Sequence, residues 1–383
     1  MTVVVMVKSH ESDFGHMPGP ARWIVLLAII AAVTAGCKTV EPGAGTGNPA
    51  CYVVYDAGSS RSRLFVYEQT ASGWSMHRGP GTAALADPIR GNRGKTMADA
   101  GSTVAALVEA LDDMRVDGPP GRNGKPLWPA FDWRRQCHVE AAYVYGTAGM
   151  RIAERQDPAA SDLVWNRVRE RLTDELGTPV TARTLSEFEE GLFAWLALDE
   201  TLADTRFGVV ELGGGSLQVT FPCRACKGAR QVMVGDRSMA IYSHSYLGWG
   251  QDEAWKRLGQ VEACARGAGV ADPAWKVADC EAVMQSFAGV ASEVAGYVRA
   301  SAGLRWYGSD ALLYKQADDI RNFCQQGLDS GFEPESSCFR AVYQRYVLKS
   351  LALPQDPAKS PVNWTLGAVV CAATQCLGPG RAN

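Results

Sequence analysis

Two glycine- and serine-rich segments, each preceded by an acidic residue, are the parts of this sequence whose residue types best suit chemistry. In "DAGSSRSR" Asp56 follows a short apolar run, and in "ELGGGSLQ" Glu211 follows another one much later in the chain. Glycine lets a backbone approach a ligand closely, and the successive N–H groups of such a turn form a site for an anion such as phosphate. One such segment is a weak signal, but two that face each other across a cleft would hold a polyphosphate from both sides.

An acid beside a phosphate site repels the phosphate unless a cation lies between them. Asp56 and Glu211 therefore predict a divalent metal ion, and oxygen ligands with phosphate and retained water are what Mg²⁺ or Ca²⁺ prefers. The hydroxyls of Ser59, Ser60 and Ser216 would add hydrogen-bond donors to the two turns.

Apolar periodicity places both segments at the turns of β-hairpins, in a chain that alternates strands with helices. The first hairpin is predicted over 52–56 and 63–67, and the second over 208–221. Between them the pattern predicts a helix over 96–114, a strand that runs into a small-residue turn within 137–151, a helical stretch to about 176, a strand over 178–186 and a helix over 187–202. Beyond residue 250 it is mostly helical, and 362–373 is apolar and helical. This alternation favours an α/β fold.

Length, composition and charge narrow the class of protein. With 383 residues the chain is long for one core, so two lobes or domains are expected. The composition, 46% hydrophobic and 21% charged, is that of a folded globular protein. The net charge is −3 and the sequence has no basic cluster with interleaved aromatic residues, which excludes nucleic acid as the expected partner.

The N-terminal segment predicts export. The apolar run 23–36 is too short to span a bilayer comfortably and suits a signal peptide. It ends in "VTAGC", which resembles a bacterial lipobox with Thr34 where Leu is more usual, so Cys37 is expected to be the lipidated first residue of a membrane-anchored protein. The alternatives are an ordinary signal cleaved nearby or an uncleaved anchor, and Met17 would open a more compact signal than Met1. We expect a periplasmic or outer-surface location.

Cysteine usage agrees with export, because ten cysteines remain when Cys37 is set aside and an even number predicts up to five disulfides. Four pairs are close in sequence: Cys223/Cys226, Cys264/Cys280, Cys324/Cys338 and Cys371/Cys376. The other two, Cys51 and Cys137, each precede an apolar run and would lie level at one sheet edge if those runs are neighbouring parallel strands. The connectivity stays open. "CRAC" could be half of a zinc site or a redox pair, but a hairpin staple is favoured because no partner group follows at metal spacing.

Six short segments, taken in order, resemble the motifs of the apyrase, or nucleoside triphosphate diphosphohydrolase, family. They are "DAGSSRSR" (56–63), "YGTAGMR" (145–151), "EEGLFAW" (189–195), "ELGGGSLQ" (211–218), "YLGWGQDEA" (246–254) and "WTLGA" (364–368). Together they span roughly residues 51–370, and six in the right order are highly specific. The two hairpins also resemble the phosphate hairpins of the wider actin-like ATPase superfamily.

The resemblance implies two actin-like (ribonuclease H-like) α/β lobes with the active site in the cleft between them. We expect a signal peptide over 1–37 and a flexible tether over 38–50. The first lobe would cover 51–184, the second would cover 185–362, and a final helix within 363–383 would return to the first lobe.

The resemblance also implies roles for individual residues. Glu190 would be the catalytic base that activates water, with Glu187 and Glu189 as competitors on other faces of the same helix. Ser216 and Gln218 would orient metal-bound or attacking water, and the metal would be held largely through water by Asp56 and Glu211. The expected phosphate-binding residues are Gly58, Ser59, Ser60, Arg61, Thr147, Ala148, Gly213, Gly214, Gly215 and Ser216.

Some residues depart from the family pattern or keep two interpretations. Arg61 stands where many relatives have His, Glu211 stands where Asp is commoner, and the Gly that usually precedes the third-motif acids is missing. Thr147 could be a plain helix N-cap, and Arg151 could be a structural clamp on its turn. For the aromatic residues available to hold a base, a place in the core is the favoured interpretation: Trp249, Trp306, Tyr307, Tyr314 and Phe323.

The sequence therefore predicts a monomeric, extracytoplasmic, metal-dependent hydrolase of nucleoside tri- and/or diphosphates that releases orthophosphate. The nearest alternative is an exopolyphosphatase-like hydrolase on the same hairpins, but "DAGSS" and "TAGMR" favour the apyrase branch. A kinase is disfavoured because ATP is scarce outside the cytoplasm. A non-catalytic nucleotide-binding lipoprotein is disfavoured because a mere binder needs no base such as Glu190.

Overall fold

A computed structural model describes residues 47–91, 99–121, 123–202, 205–265, 271–309, 317–326 and 336–378. The predicted signal peptide, its Cys37 and most of the predicted tether lie outside these ranges. Within them, no helix is both long enough and apolar enough to cross a membrane.

The first sheet contains the first predicted hairpin. Strands β1 (Ala50–Ala57), β2 (Ser62–Thr70) and β3 (Gly73–Thr82) form an antiparallel meander. Strands β4 (His138–Gly146) and β5 (Val180–Thr184) extend it in parallel, in the order β3-β2-β1-β4-β5. The central β1 is buried along most of its length, which explains why it is a continuous apolar run instead of an alternating one.

Helices follow or cover this sheet, and local signals determine where they begin and end. The Asp99 carboxylate accepts a hydrogen bond from the Ser102 N–H at 2.9 Å and caps the second of them. Asp157 caps the fifth, which has Pro158 in its first turn and ends at Gly177 in the left-handed conformation. The helices are α1 (Asp87–Arg90), α2 (Ala100–Asp113), α3 (Trp133–Gln136), α4 (Ala148–Gln156) and α5 (Pro158–Leu176).

The second sheet repeats the plan of the first around the second hairpin. Its order is β11-β10-β6-β7-β9-β8, with the β6–β7 hairpin and β8 and β9 antiparallel, and with β10 and β11 added in parallel beside β6. In both sheets the first strand of the hairpin therefore has a parallel neighbour on its other side. The strands are β6 (Phe207–Leu212), β7 (Ser216–Pro222), β8 (Arg230–Val234), β9 (Arg237–Leu247), β10 (Arg305–Gly308) and β11 (Ala358–Lys359).

Two apolar helices, α6 (Glu187–Thr201) and α12 (Trp364–Thr374), pack against each other and share a core with side chains of both sheets. They cross closely at Gly367, where a Cβ atom would overlap the backbone carbonyl oxygen of Phe193. The other helices in this part of the chain are α7 (Gln251–Ala254), which continues into a π-helical turn, α8 (Val277–Ala282), α9 (Gln285–Ala300), α10 (Ala317–Gln326) and α11 (Ser337–Ser350).

Five disulfides join the cysteines in the pairs that the sequence suggested. Cys51 and Cys137 are bonded, and β1 and β4 are parallel neighbours as that pairing required. Cys223 and Cys226 form a disulfide, so the hairpin-staple interpretation of "CRAC" is confirmed. The remaining bonds are Cys264–Cys280, Cys324–Cys338 and Cys371–Cys376.

The predicted α/β fold with two actin-like halves is confirmed, and both hairpins lie where the periodicity placed them. The strand predicted over 178–186 is shorter, at Val180–Thr184. Five strands were not predicted: β3, β8, β9, β10 and β11. The last two lie in the part beyond residue 250 that the pattern had given as mostly helical. The lobe limits at 51–184, 185–362 and 363–383 stay a prediction.

Candidate active site

A cavity of about 760 Å³ lies between the turns of the two hairpins. Such a volume is within the usual range of about 300–1,000 Å³ for small-molecule sites. Every residue predicted for the site within the described ranges lines it: Asp56, Gly58, Ser59, Ser60, Arg61, Thr147, Ala148, Glu190, Glu211, Gly213, Gly214, Gly215, Ser216 and Gln218.

The two hairpin turns have the same internal hydrogen bond. In the first, the Gly58 N–H donates to the Arg61 carbonyl oxygen at 3.1 Å, and in the second the Gly213 N–H donates to the Ser216 carbonyl oxygen at 2.9 Å. The acids occupy similar positions, with Asp56 near the end of β1 and Glu211 near the end of β6. The repetition seen in the sequence is therefore a repetition of backbone geometry.

The turns lie against each other and need glycine where they meet. A Cβ atom on Gly214 would lie 2.5 Å from Ser59 Oγ and would also overlap the Asp252 carboxylate. Such distances are too short for any side chain, so the second turn can come this close to the first only without one. The two hairpin turns thus form one continuous wall of the cavity.

The β4–α4 turn adds a third backbone segment beside the first hairpin. The Thr147 N–H donates to the Ala57 carbonyl oxygen at 3.2 Å, which fixes the turn to the end of β1. Thr147 occupies the N-cap position of α4, but its hydroxyl makes no capping hydrogen bond. The N-cap position predicted for Thr147 is thus observed without the cap, and the side chain lines the cavity instead.

The three acids at the start of α6 have three different environments. Ser186 and Glu189 form a capping box, and Glu189 is ion-paired with Arg183 at 2.6 Å. Burial raises the pKa of Glu189, but the hydrogen bond and charge of Arg183 more than offset this and hold it below its usual value. Glu187 is exposed, whereas Glu190 is buried and lines the cavity. Of the three, only Glu190 is placed to act there.

Glu190 belongs to a buried polar network that sequence reasoning had not foreseen. Its carboxylate is ion-paired with Arg151 Nη2, and the Arg151 guanidinium also donates to Ser245 Oγ at 3.2 Å and to Ser216 Oγ at 3.3 Å. Gln218 Nε2 donates to both of these serine hydroxyls. The Arg151 side chain therefore joins Glu190 on α6 to serines of β7 and β9, and the alternative that it clamps its own turn stays a prediction.

Burial raises the pKa of Glu190 to about 7 although Arg151 lowers it, and the nearby charge of Asp56 adds to the rise. A carboxyl with a pKa near the working pH is suited to take and release a proton, which is what a general base requires. Asp56 also has a raised pKa because it is buried, and its ion pair with Arg63 at 2.9 Å partly offsets this.

Burial, with the charges of Glu190 and Asp56, raises the pKa of Glu211 to about 8. Among the described residues, no side chain hydrogen-bonds or ion-pairs with Glu211, and no group of three or more His, Cys, Asp or Glu side chains could hold a metal ion directly. Mutually repelling acids with one of them lacking a protein partner fit a hydrated divalent cation, because Mg²⁺ and Ca²⁺ favour oxygen ligands and Mg²⁺ usually keeps several waters. Asp56 and Glu211 are the side chains that would hold it.

Three arginines lie at or near the first turn, and one of them, Arg63, is the ion-pair partner of Asp56. Arg61, Arg63 and Arg78 all line the cavity. Burial lowers the pKa of Arg61, and the charges of Arg63 and Arg78 lower it further. Three guanidinium groups close enough to repel each other are an environment that favours a polyanion.

The fifth motif forms the base of the second turn, a role that the sequence had left unassigned. The Gln251 N–H donates to the Gly213 carbonyl oxygen and the Asp252 N–H to the Gly214 carbonyl oxygen, both at 2.9 Å. Asp252 is buried and ion-paired at 2.9 Å with Arg340 of α11. In the sequence, the only signal for Asp252 is its place in the fifth motif, "YLGWGQDEA".

Of the aromatic residues considered for base binding, the four within the described ranges do not line the cavity. Trp306, Tyr307 and Phe323 are buried in the core, as favoured from the sequence. Trp249 is half-buried against Phe287 and the guanidinium of Arg257. Tyr314 lies outside the described residues.

Comparison with known proteins agrees with this geometry. Residues 133–287 match the GDA1/CD39 (nucleoside phosphatase) family. The resemblance of this chain to the apyrase family is confirmed. Ectonucleoside triphosphate diphosphohydrolase 2 of Homo sapiens is 27% identical over 226 residues, which are 54% of this chain and 43% of that protein. Ectonucleoside triphosphate diphosphohydrolase 1 of Rattus norvegicus is 24% identical over 273 residues, 65% of this chain and 50% of that protein. The chain thus spans about half the length of the curated relatives it matches.

Solved structures support the fold alone. A Ppx/GppA family member from Aquifex aeolicus superposes with a TM-score of 0.51 at 15% identity, over 85% of this chain and 98% of that one. An exopolyphosphatase from Cytophaga hutchinsonii gives a TM-score of 0.50 at 12% identity, over 86% and 99% of the two chains.

Proposed function

We propose that this apyrase-like chain hydrolyses the terminal phosphoanhydride bond of nucleoside tri- and/or diphosphates. The observation that carries the proposal is the placement of Glu190, buried with a pKa of about 7, in the cavity between two matching phosphate turns. The curated relatives named above are nucleoside triphosphate diphosphohydrolases, which supports this substrate class over inorganic polyphosphate.

In this proposal the turns at 58–61 and 213–216, with Thr147 and Ala148, bind the phosphate chain through N–H groups and hydroxyls. Glu190 accepts a proton from a water molecule held by Ser216 and Gln218. The water oxygen forms a bond to the terminal phosphorus while the bridging P–O bond breaks on the opposite side. Orthophosphate leaves, and the nucleotide shortened by one phosphate takes the electron pair.

Charge stabilisation is the second requirement of phosphoryl transfer, because negative charge is spread over the transferred group. Arg61 and Arg78 would meet this charge from the side of the first turn. A divalent cation, held largely through water by Asp56 and Glu211, would supply the remaining positive charge. Whether Mg²⁺ or Ca²⁺ serves is tested by supplying each in turn.

The first experiment measures orthophosphate release by the full chain, produced under oxidising conditions, from nucleoside tri- and diphosphates and from inorganic polyphosphate. Each substrate is supplied with Mg²⁺, with Ca²⁺ or with EDTA. Metal-dependent release from nucleotides is the expected result. Release of orthophosphate from polyphosphate alone would favour the exopolyphosphatase-like alternative. If the folded protein releases orthophosphate from none of the substrates, the alternative of a non-catalytic nucleotide-binding lipoprotein is favoured.

Glu190→Ala tests the catalytic assignment, with Glu187→Gln as its matched control three residues earlier on the same helix. General-base catalysis contributes roughly 10²- to 10⁴-fold, so kcat of Glu190→Ala is expected to fall by about that factor with nucleotide binding retained. Because Glu187 is exposed, kcat of Glu187→Gln is expected to stay close to the wild-type value. Near-normal kcat in Glu190→Ala would refute the assignment.

We further propose export and anchoring through lipid on Cys37, and a monomeric state. The five disulfides support an oxidising compartment outside the cytoplasm. Metabolic labelling with a radioactive fatty acid checks the anchor, because Cys37→Ala should lose the label. Light scattering of the purified chain checks the monomer.

A further inference from the structure

Gln344 of α11 is a buried amide without a partner. Its side chain lines the cavity and the residue is only 3% exposed, yet neither amide atom, Nε2 or Oε1, has a hydrogen-bond partner among the described residues. A buried donor or acceptor that is left unsatisfied is costly, so nearly all such groups in native proteins are paired. Because the side chain lines the cavity, a rotation of the buried amide toward a group that enters the cavity would let that group pair with both atoms.

Gln344 lies on α11 near a residue that contacts the second hairpin turn through Asp252. Arg340 lies four residues earlier on α11, on the same helix face, and its ion pair with Asp252 connects it to the second turn. Asp252 in turn donates its N–H to the Gly214 carbonyl oxygen at 2.9 Å. Gln344 is therefore about one helical turn, roughly 5 Å along the helix axis, from the residue that is ion-paired with Asp252.

The chemistry of an amide indicates which part of a substrate it can match. Phosphate oxygens at neutral pH accept hydrogen bonds, so they would satisfy Nε2 of Gln344 and leave Oε1 unpaired. A ribose hydroxyl or the edge of a nucleobase presents a donor together with an acceptor, and glutamine amides pair with such base edges in both directions at once. We infer that the Gln344 amide binds the nucleoside part of the substrate and helps to select nucleotides over inorganic phosphate chains. This inference rests on the proposed function.

Packing alone does not explain a glutamine here. Its neighbours Tyr343 and Val347 are fully buried and belong to the apolar core beneath α11. Tyr343 still pairs its hydroxyl with the Trp249 carbonyl oxygen at 2.6 Å, whereas Gln344 has no such partner. An apolar side chain of similar length would fill the same space without burying an unpaired amide.

The test compares Gln344→Met with the wild type, and uses Leu348→Met as the control. Leu348 is one turn farther along α11, is buried and does not line the cavity. Calorimetry measures the affinity for a non-hydrolysable nucleoside methylenediphosphonate and for methylenediphosphonate itself, which has no nucleoside. Steady-state kinetics measures KM and kcat for the corresponding nucleoside diphosphate, and thermal unfolding confirms that each variant is folded.

For Gln344→Met we expect a roughly tenfold loss of affinity and a matching rise in KM for the nucleotide, the value of about one hydrogen bond. Affinity for methylenediphosphonate and the behaviour of Leu348→Met should stay within about twofold of the wild type. Repeating the affinity measurement with deoxyribose analogues and with a second nucleobase identifies the group that Gln344 contacts. The wild type should prefer the nucleotide that carries this group, and Gln344→Met should show no such preference. Gln344→Glu, which lacks the amide donor, should also bind the nucleotide more weakly.

Two results would overturn the inference: unchanged nucleotide affinity in Gln344→Met, or an equal loss of affinity for methylenediphosphonate. The proposed function fails separately. If the wild type binds the nucleotide analogue but hydrolyses no nucleotide, the proposed function is wrong and calorimetry still decides the role of Gln344. If the wild type binds the phosphonate but gains nothing from the nucleoside, the inference is wrong.

Discussion

Replacing Arg151 by methionine should move the pH dependence of catalysis without removing the catalytic base. Arg151 is ion-paired with Glu190, and its charge lowers the pKa of that carboxyl from the higher value that burial alone would give. Both side chains are buried, so solvent screens their interaction little. Methionine has a similar length but carries no charge, so it removes the cation paired with Glu190 and leaves the repulsion from Asp56.

The size of the shift follows from the energy of a buried ion pair. Breaking such a pair costs about 3–5 kcal/mol, and about 1.4 kcal/mol corresponds to one pKa unit, so a rise of about two units or more is expected. With the wild-type pKa at about 7, most of Glu190 is ionised in the wild type at weakly alkaline pH. In the metal-free variant only a few per cent would be ionised there. A bound cation would lower the pKa of Glu190 in both proteins, so the roughly 25-fold loss of kcat is expected about half a pH unit above the midpoint of the wild-type profile.

The assay is a pH–rate profile of kcat and of kcat/KM with saturating metal ion. The ascending limb of Arg151→Met should move to higher pH by about two units, and the rate should recover once Glu190 ionises. Arg155→Met is the matched control, because Arg155 is one turn later on α4 and exposed. A limb at the wild-type pH with a uniformly lower kcat would refute the reasoning and would show that Arg151 acts on the substrate instead.

Three further predictions concern metal, the second turn and a disulfide. Burial raises the pKa of Glu211 to about 8, so the metal-free protein should lose stability as pH rises from about 4.5 to 8. The free energy of unfolding should fall by about 1.4 kcal/mol for each unit by which the pKa is raised. Thermal unfolding in EDTA should show this pH dependence, and Glu211→Gln or added Ca²⁺ should reduce it. Gly214→Ala should lower kcat/KM at least about tenfold because the turns can no longer meet, whereas Gly289→Ala, in open space on α9, should raise the unfolding free energy by about 0.5–1 kcal/mol. Replacing Cys51 and Cys137 by serine should cost about 2–5 kcal/mol in denaturant unfolding, and a smaller loss would show that their disulfide constrains the unfolded chain little.

The sequence predicts the parts of this fold that rest on local patterns. The hairpin around Asp56 is readable because apolar runs on both sides of a glycine turn have strand periodicity. The Cys51–Cys137 bond can be predicted because two cysteines at equal distance before two apolar runs lie level if those runs are neighbouring parallel strands. The edge strands β3 and β8 are partly exposed and have weak apolar patterns, and their pairing depends on neighbours distant in sequence.

The contacts that tune the site are harder to predict, because they join residues from different elements. Arg151 was recognised in its motif, but its partner Glu190 lies on another helix and the pairing depends on how that helix packs. The same holds for Asp252 with Arg340, which belong to separate segments of the second half. Gln344 lies in no motif, and its significance comes from burial without a partner, a property that only three-dimensional structure reveals.

The balance of charge around the cavity explains why metal and nucleotide should bind together. Two of the acids have a guanidinium partner, Asp56 with Arg63 and Glu190 with Arg151, whereas none is observed for Glu211 within the described residues. A bare polyphosphate would add several negative charges beside these carboxylates and raise their pKa values further. A cation bound without substrate would relieve the acids but would face the arginines around the first turn. Metal ion and nucleotide together bring positive charge to the acids and negative charge to the arginines. The affinity of the protein for each should therefore rise when the other is present.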